Sequence, residues 1–99
     1  MPELEGQAIR VVVADDEEIV LSLVRDALED EGYEVLSAAN GADALEQVRQ
    51  HSPQLIITDI RMPRMDGIEM VRQAREINPH VVVIFMTGYA DLNSAKNAI

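Results

Sequence analysis

The chain has no cysteine, few basic residues and no long apolar run, and each shortage removes a class of function. Without cysteine there is no disulfide framework, no thiolate metal site and no cysteine nucleophile, a composition compatible with a reducing compartment. Eight Lys and Arg stand against 18 Asp and Glu, a formal charge of -10. That balance opposes contact with nucleic acid or with an anionic membrane surface through a broad basic patch. It suits Mg²⁺, basic partners or plain solubility. No apolar stretch approaches the roughly 20 residues that a membrane-spanning helix needs. The opening MPELEGQAIR also lacks the apolar segment of a secretory signal. A soluble, cytoplasmic domain is the expectation.

What is present suits one compact unit: 99 residues, 47% of them hydrophobic, are enough for a real core. Residues 9–14, IRVVVA, are β-branched and apolar on both faces, the pattern of a strand buried between helices in a parallel sheet. The period then changes. Ile19, Val20, Leu23, Val24, Ala27 and Leu28 recur at helical spacing, which predicts an amphipathic helix over 17–31, stopped by Gly32 in a left-handed conformation. YEVLSAA reads as a second, more exposed strand. Asn40 caps a second helix striped by Ala42, Leu45 and Val48, which Pro53 closes. QLIITDI is a third strand and RMPRMDG a turn-rich loop, with Asp66 and Gly67 a turn or cap. Ile68, Val71, Ala74 and Ile77 line a third helix, and VVVIFMT is a fourth strand. Beyond Gly88, Leu92, Ala95 and Ile99 begin a fourth helical stripe. Strands alternating with helices predict an α/β doubly wound parallel sheet with helices on both faces.

In open parallel sheets a ligand lies beyond the carboxyl ends of the strands. Asp15 and Asp16 end the first strand, Asp59 the third and Thr87 the fourth, so three carboxylates and a hydroxyl meet at one edge. Carboxylates that close would force one another to protonate unless a cation is present. Mg²⁺ takes a few carboxylate oxygens and leaves positions for phosphate, whereas Zn²⁺ wants His or Cys. His51 and His80 fall at the other ends of the helices and read as ordinary loop residues. Asp59 stands alone, followed by Met62-Pro63, which stiffens its loop. A lone carboxylate beside a metal can attack phosphorus to give an acyl phosphate, with Thr87 positioning the phosphoryl oxygens. Each feature has a plainer reading: DDEE as a helix cap, Asp59 as a turn residue, Thr87 as a strand-end hydroxyl, the methionines as packing, Arg61 and Arg64 as solvated side chains. Those readings leave the coincidence at one edge unexplained.

VVVADDEE, LIITDIRMPRMDG and VIFMTGYAD together resemble the receiver domains of bacterial two-component response regulators. The resemblance spans roughly the whole chain and implies a flavodoxin-like fold of strand order 2-1-3-4-5. It implies that Asp59 is the phosphoacceptor for a sensor histidine kinase or phosphotransfer protein. Asp16 and Asp15 would hold Mg²⁺ together with Asp59 and the backbone carbonyl of Arg61, and Thr87 would be the switch hydroxyl. The state of Asp59 would then control an output domain or partner protein, without direct contact of this domain with nucleic acid or membrane and without turnover of a small substrate. Arg61 and Tyr89, two places after the acceptor and the threonine, would lie on the path of attacking water and slow hydrolysis.

The departures are specific. The fifth strand, its lysine and aromatic residue, and the fifth helix of the family have no counterpart in these 99 residues, and Lys96 does not match that lysine. Residues 1–99 are therefore expected to be a receiver domain incomplete at its C-terminus, of strand order 2-1-3-4. Its exposed fourth strand would invite pairing, as in a homodimer or domain-swapped oligomer. Two alternatives are an interaction module independent of phosphate and a Mg²⁺-dependent aspartyl phosphohydrolase. The second usually needs an acid two residues after its nucleophile, where this chain has Arg61.

Overall fold

The structure is a computed structural model that describes residues 8–86. The order along the chain is β1 (Arg10–Ala14), α1 (Glu18–Asp30), β2 (Glu34–Ala38), α2 (Gly41–His51), β3 (Leu55–Asp59), α3 (Gly67–Ile77) and β4 (Val82–Met86). All three strand pairings are parallel, in the spatial order β2-β1-β3-β4. The α/β architecture is the one expected from the alternation of periods, and the 2-1-3-4 order is the one that the resemblance implied. The expected stripe at Leu92, Ala95 and Ile99 lies outside the described residues.

Side chains alternate across the pleat and so divide the core in two. Val12, Ala14 and Ile56 face α2 and α3, where Ala44, Leu45, Val48, Met70, Val71 and Ala74 complete a cluster of buried residues. Val11, Val13 and Ile57 face α1, against Leu21, Val24 and Leu28. Here the helical stripe needs correction. Helix α1 has no fully buried residue, and Ile19 and Leu23 lie exposed on the side away from Leu21, Val24 and Leu28. Apolar residues at 19, 20, 23, 24, 27 and 28 span more than one face of the helix, so their period marks a helix without naming its inner side.

Helix ends follow local chemistry. Gly32, at φ +94°, closes α1: Gly32 N–H donates to the Glu29 carbonyl and Tyr33 N–H to that of Leu28, with Tyr33 and Leu28 packed in the same cluster. Asn40 and Asp66 cap α2 and α3 by accepting from the N–H groups of Asp43 and Glu69. These two caps start both helices at the same edge of the sheet, the edge on which the strands end.

Candidate functional site: three carboxylates at the strand ends

Register brings the acids together. Ala14 of β1 pairs with Thr58 of β3, so the next residues, Asp15 and Asp59, emerge side by side. Asp15 N–H still bonds the Ala38 carbonyl of β2, which keeps Asp15 within the ladder and buried at 3% exposure. Asp16, one residue on, is exposed. One oxygen from each of Asp15, Asp16 and Asp59 can be chosen so that all three lie within 4.8 Å of one another. Ligand oxygens around an octahedral Mg²⁺ stand about 3–4 Å apart. The all-oxygen donor set and its spacing therefore fit a hard divalent cation after a small contraction.

The electrostatics point the same way. Burial raises the Asp15 carboxyl above its ordinary range. The Glu17 N–H, which donates to Asp15 Oδ1 at 2.8 Å, opposes the rise, and the charges of Asp59, Asp16 and Glu17 add to it. Asp15 thus carries a desolvated charge among like charges, a situation that a bound cation relieves. The reading of DDEE as a helix start with acids at the positive end of the dipole holds in part, since Glu18 lies in the first turn of α1 and Asp15 accepts from Glu17 N–H. Glu17 occupies the N-cap position of α1 and makes no side-chain capping bond.

Asp59 is only partly buried, and its Oδ1 accepts from Ile60 N–H at 2.7 Å. The carboxylate is thereby oriented by its own backbone. Beneath it the fully buried Thr58 hydroxyl donates to the Asp59 carbonyl at 2.8 Å. The following loop borders an open depression of about 660 Å³ lined by Asp16, Ile60, Arg61, Met62, Pro63, Asp66 and Ile68. Of the three clustered acids, Asp16 lines it.

Of the residues singled out in the sequence, Asp15, Asp16 and Asp59 are brought together, and Arg61 lies on the bordering loop. Thr87, Tyr89 and Lys96 lie outside the described residues. His51 ends α2 at the opposite edge, where its carbonyl accepts from Arg10. Arg64 is solvated as expected, its exposed side chain meeting Asp43 at 3.4 Å. Three contributors were not singled out for the site: Thr58, Gly41 and Gly67. A Cβ on Gly67 would overlap the Asp59 carbonyl oxygen, and one on Gly41 the Met65 carbonyl oxygen. Their signal in the sequence is a glycine directly after each capping Asn40 or Asp66.

Comparison with known proteins agrees with the fold. The profile of the response regulator receiver domain family matches residues 11–99. Response regulator receiver protein CpdR of Brucella abortus is 42% identical over 81 residues, which are 82% of this chain and 68% of that protein. Transcriptional regulatory protein ZraR of Klebsiella oxytoca is 35% identical over 97% of this chain, which spans only 22% of that protein. Among solved structures, a CheY-like receiver domain protein from Methanospirillum hungatei superposes with a TM-score of 0.85 at 33% identity, covering 93% of this chain and 76% of its own.

Proposed function

The chain belongs to the response regulator receiver domain family, and from that premise we propose that it is a phosphoacceptor signalling module in which Asp59 takes a phosphoryl group. An Asp59 carboxylate oxygen attacks phosphorus on a phosphohistidine of a sensor kinase or phosphotransfer protein. The new P–O bond forms as the P–N bond breaks, and the imidazole leaves with the electron pair and takes up a proton. Bound Mg²⁺ would neutralise charge on the phosphoryl oxygens. Asp15 and Asp16 would hold it together with Asp59 and the Arg61 carbonyl, and Thr87 would supply the switch hydroxyl. The domain is a stoichiometric acceptor, not a turnover enzyme. It works in the cytoplasm, and its state is read by an output domain or partner protein.

The observation that carries the reading is the convergence of Asp15, Asp16 and Asp59 within 4.8 Å, beside an open depression that Asp16 lines. Incubation with acetyl phosphate and Mg²⁺, followed by intact-mass measurement, tests it. A single phosphoryl adduct that is lost in Asp59→Asn is the expected result. No adduct on the wild-type chain, or an adduct that survives Asp59→Asn, would overturn it.

A further inference from the structure

The loop between β3 and α3 is held from outside itself. At its start Ile60 is buried and its carbonyl accepts from Gly67 N–H at 2.8 Å. In its middle Met65 N–H donates to the Pro63 carbonyl at 2.8 Å around Arg64, whose φ is +69°. This is a γ-turn with a non-glycine residue in the left-handed region, a conformation that persists only where surrounding contacts impose it.

Two of those contacts come from the first turn of α2. Gly41 N–H donates to the Met65 carbonyl at 3.0 Å, and the Asp43 carboxylate meets Arg64 at 3.4 Å. The ion pair is more than half exposed on both sides and contributes little. The Gly41 contact is of another kind. A Cβ at 41 would overlap the Met65 oxygen and stand 2.7 Å from its carbonyl carbon. Something must then give. Helix α2 is fixed by buried Ala44, Leu45 and Val48 and by its Asn40 cap, whereas the loop, though Met62 and Met65 pack on the same core, leaves Arg61, Pro63 and Arg64 exposed, so the loop is the softer partner.

We propose that Gly41 is a positioning residue for the cation site, acting through the loop that carries Arg61. It touches no ligand itself. Its N–H and its missing side chain let α2 seat the loop at one height, and so place the Arg61 backbone relative to the three carboxylates. The inference rests on the reading of Asp15, Asp16 and Asp59 as a Mg²⁺ site.

The test compares Mg²⁺ affinity by titration calorimetry with metal-free melting temperature, and measures hydrogen exchange of the Gly41 amide with and without Mg²⁺. Gly41→Ala is expected to bind Mg²⁺ roughly tenfold more weakly, in line with other supporting groups around metal sites. Arg64→Ala should lose less than about threefold, as befits an exposed pair. By reciprocity, saturating Mg²⁺ should slow exchange of the Gly41 amide in the wild-type chain. A folded Gly41→Ala that binds Mg²⁺ as tightly as wild type overturns the inference. So does weakened binding without protection of Gly41, which would indicate general loosening. If Gly41→Ala does not fold, the exchange measurement on the wild type decides. A wild-type chain that binds no Mg²⁺ refutes the cation site itself, an outcome distinct from the others.

Discussion

The two edges of the sheet handle charge in opposite ways. At the amino end of the strands Arg10 donates to Glu34 at 3.2 Å and to the His51 carbonyl at 2.9 Å, while its backbone N–H donates to the Gln54 side chain. Asn78 likewise closes on the Pro53 carbonyl. There, opposite charges and dipoles tie β1, β2 and the end of α2 together. At the carboxyl end three carboxylates from two strand ends gather within 4.8 Å, one of them buried. The first edge is arranged for folding. The second holds like charges together at a cost to folding, which is the mark of a site kept for chemistry.

Removing a charge at the acidic edge should therefore raise stability while destroying binding, and this is the largest expected effect. Asp15→Asn is expected to melt at a higher temperature than wild type in EDTA, and to bind Mg²⁺ at least roughly tenfold more weakly by calorimetry. The pH dependence follows from the sign of the shift. Burial raises the folded-state carboxyl of Asp15, so the folded chain binds its proton more tightly than the unfolded chain does. Metal-free stability should then fall as pH rises from the ordinary carboxylate range through the raised value, and level off above it. Asp15→Asn should flatten that slope in thermal melts across the acidic range. An unchanged slope would contradict the assigned cause.

A smaller effect is expected on the rim of the same edge. Arg61 borders the depression beside Asp16. If the proposed acyl phosphate forms on Asp59 and Arg61 shields it from water, replacing Arg61 with Asn should shorten its lifetime several-fold, measured by loss of the adduct over time. An equal lifetime would remove Arg61 from that role. The smallest effect belongs to the opposite edge. Arg10→Ala breaks a half-exposed ion pair and one bond to a carbonyl, and should cost about 1 kcal/mol in denaturant unfolding. Its yield of phosphoryl adduct should equal that of wild type, and a loss there would blur the division between the edges.

Much of this contrast is legible in the sequence, because it depends on short-range rules. Strand and helix periods, the left-handed Gly32 and the Asn40 cap act within a few residues, and the alternation of elements leads directly to Asp15, Asp16 and Asp59 on one edge. The features that were not legible depend on tertiary distance. Adjacent acids look equivalent in DDEE, yet the ladder bond from Asp15 to Ala38 buries one and leaves the other in water. Ile19 and Leu23 share the helical period of Val24 and Leu28 but not their side, since only packing against Val11 and Val13 selects the inner face. The need for glycine at 41 and 67 arises from carbonyls 24 and eight residues away, at Met65 and Asp59.

The proposed function depends on a divalent cation bound by the three clustered carboxylates, and a Mg²⁺ titration followed by amide NMR shifts tests that most directly. Saturable one-to-one changes centred on residues 15–17 and 59–61, abolished in Asp59→Asn, are the predicted result. Shifts that do not saturate, or that spread evenly over the acidic surface of α1, would contradict it.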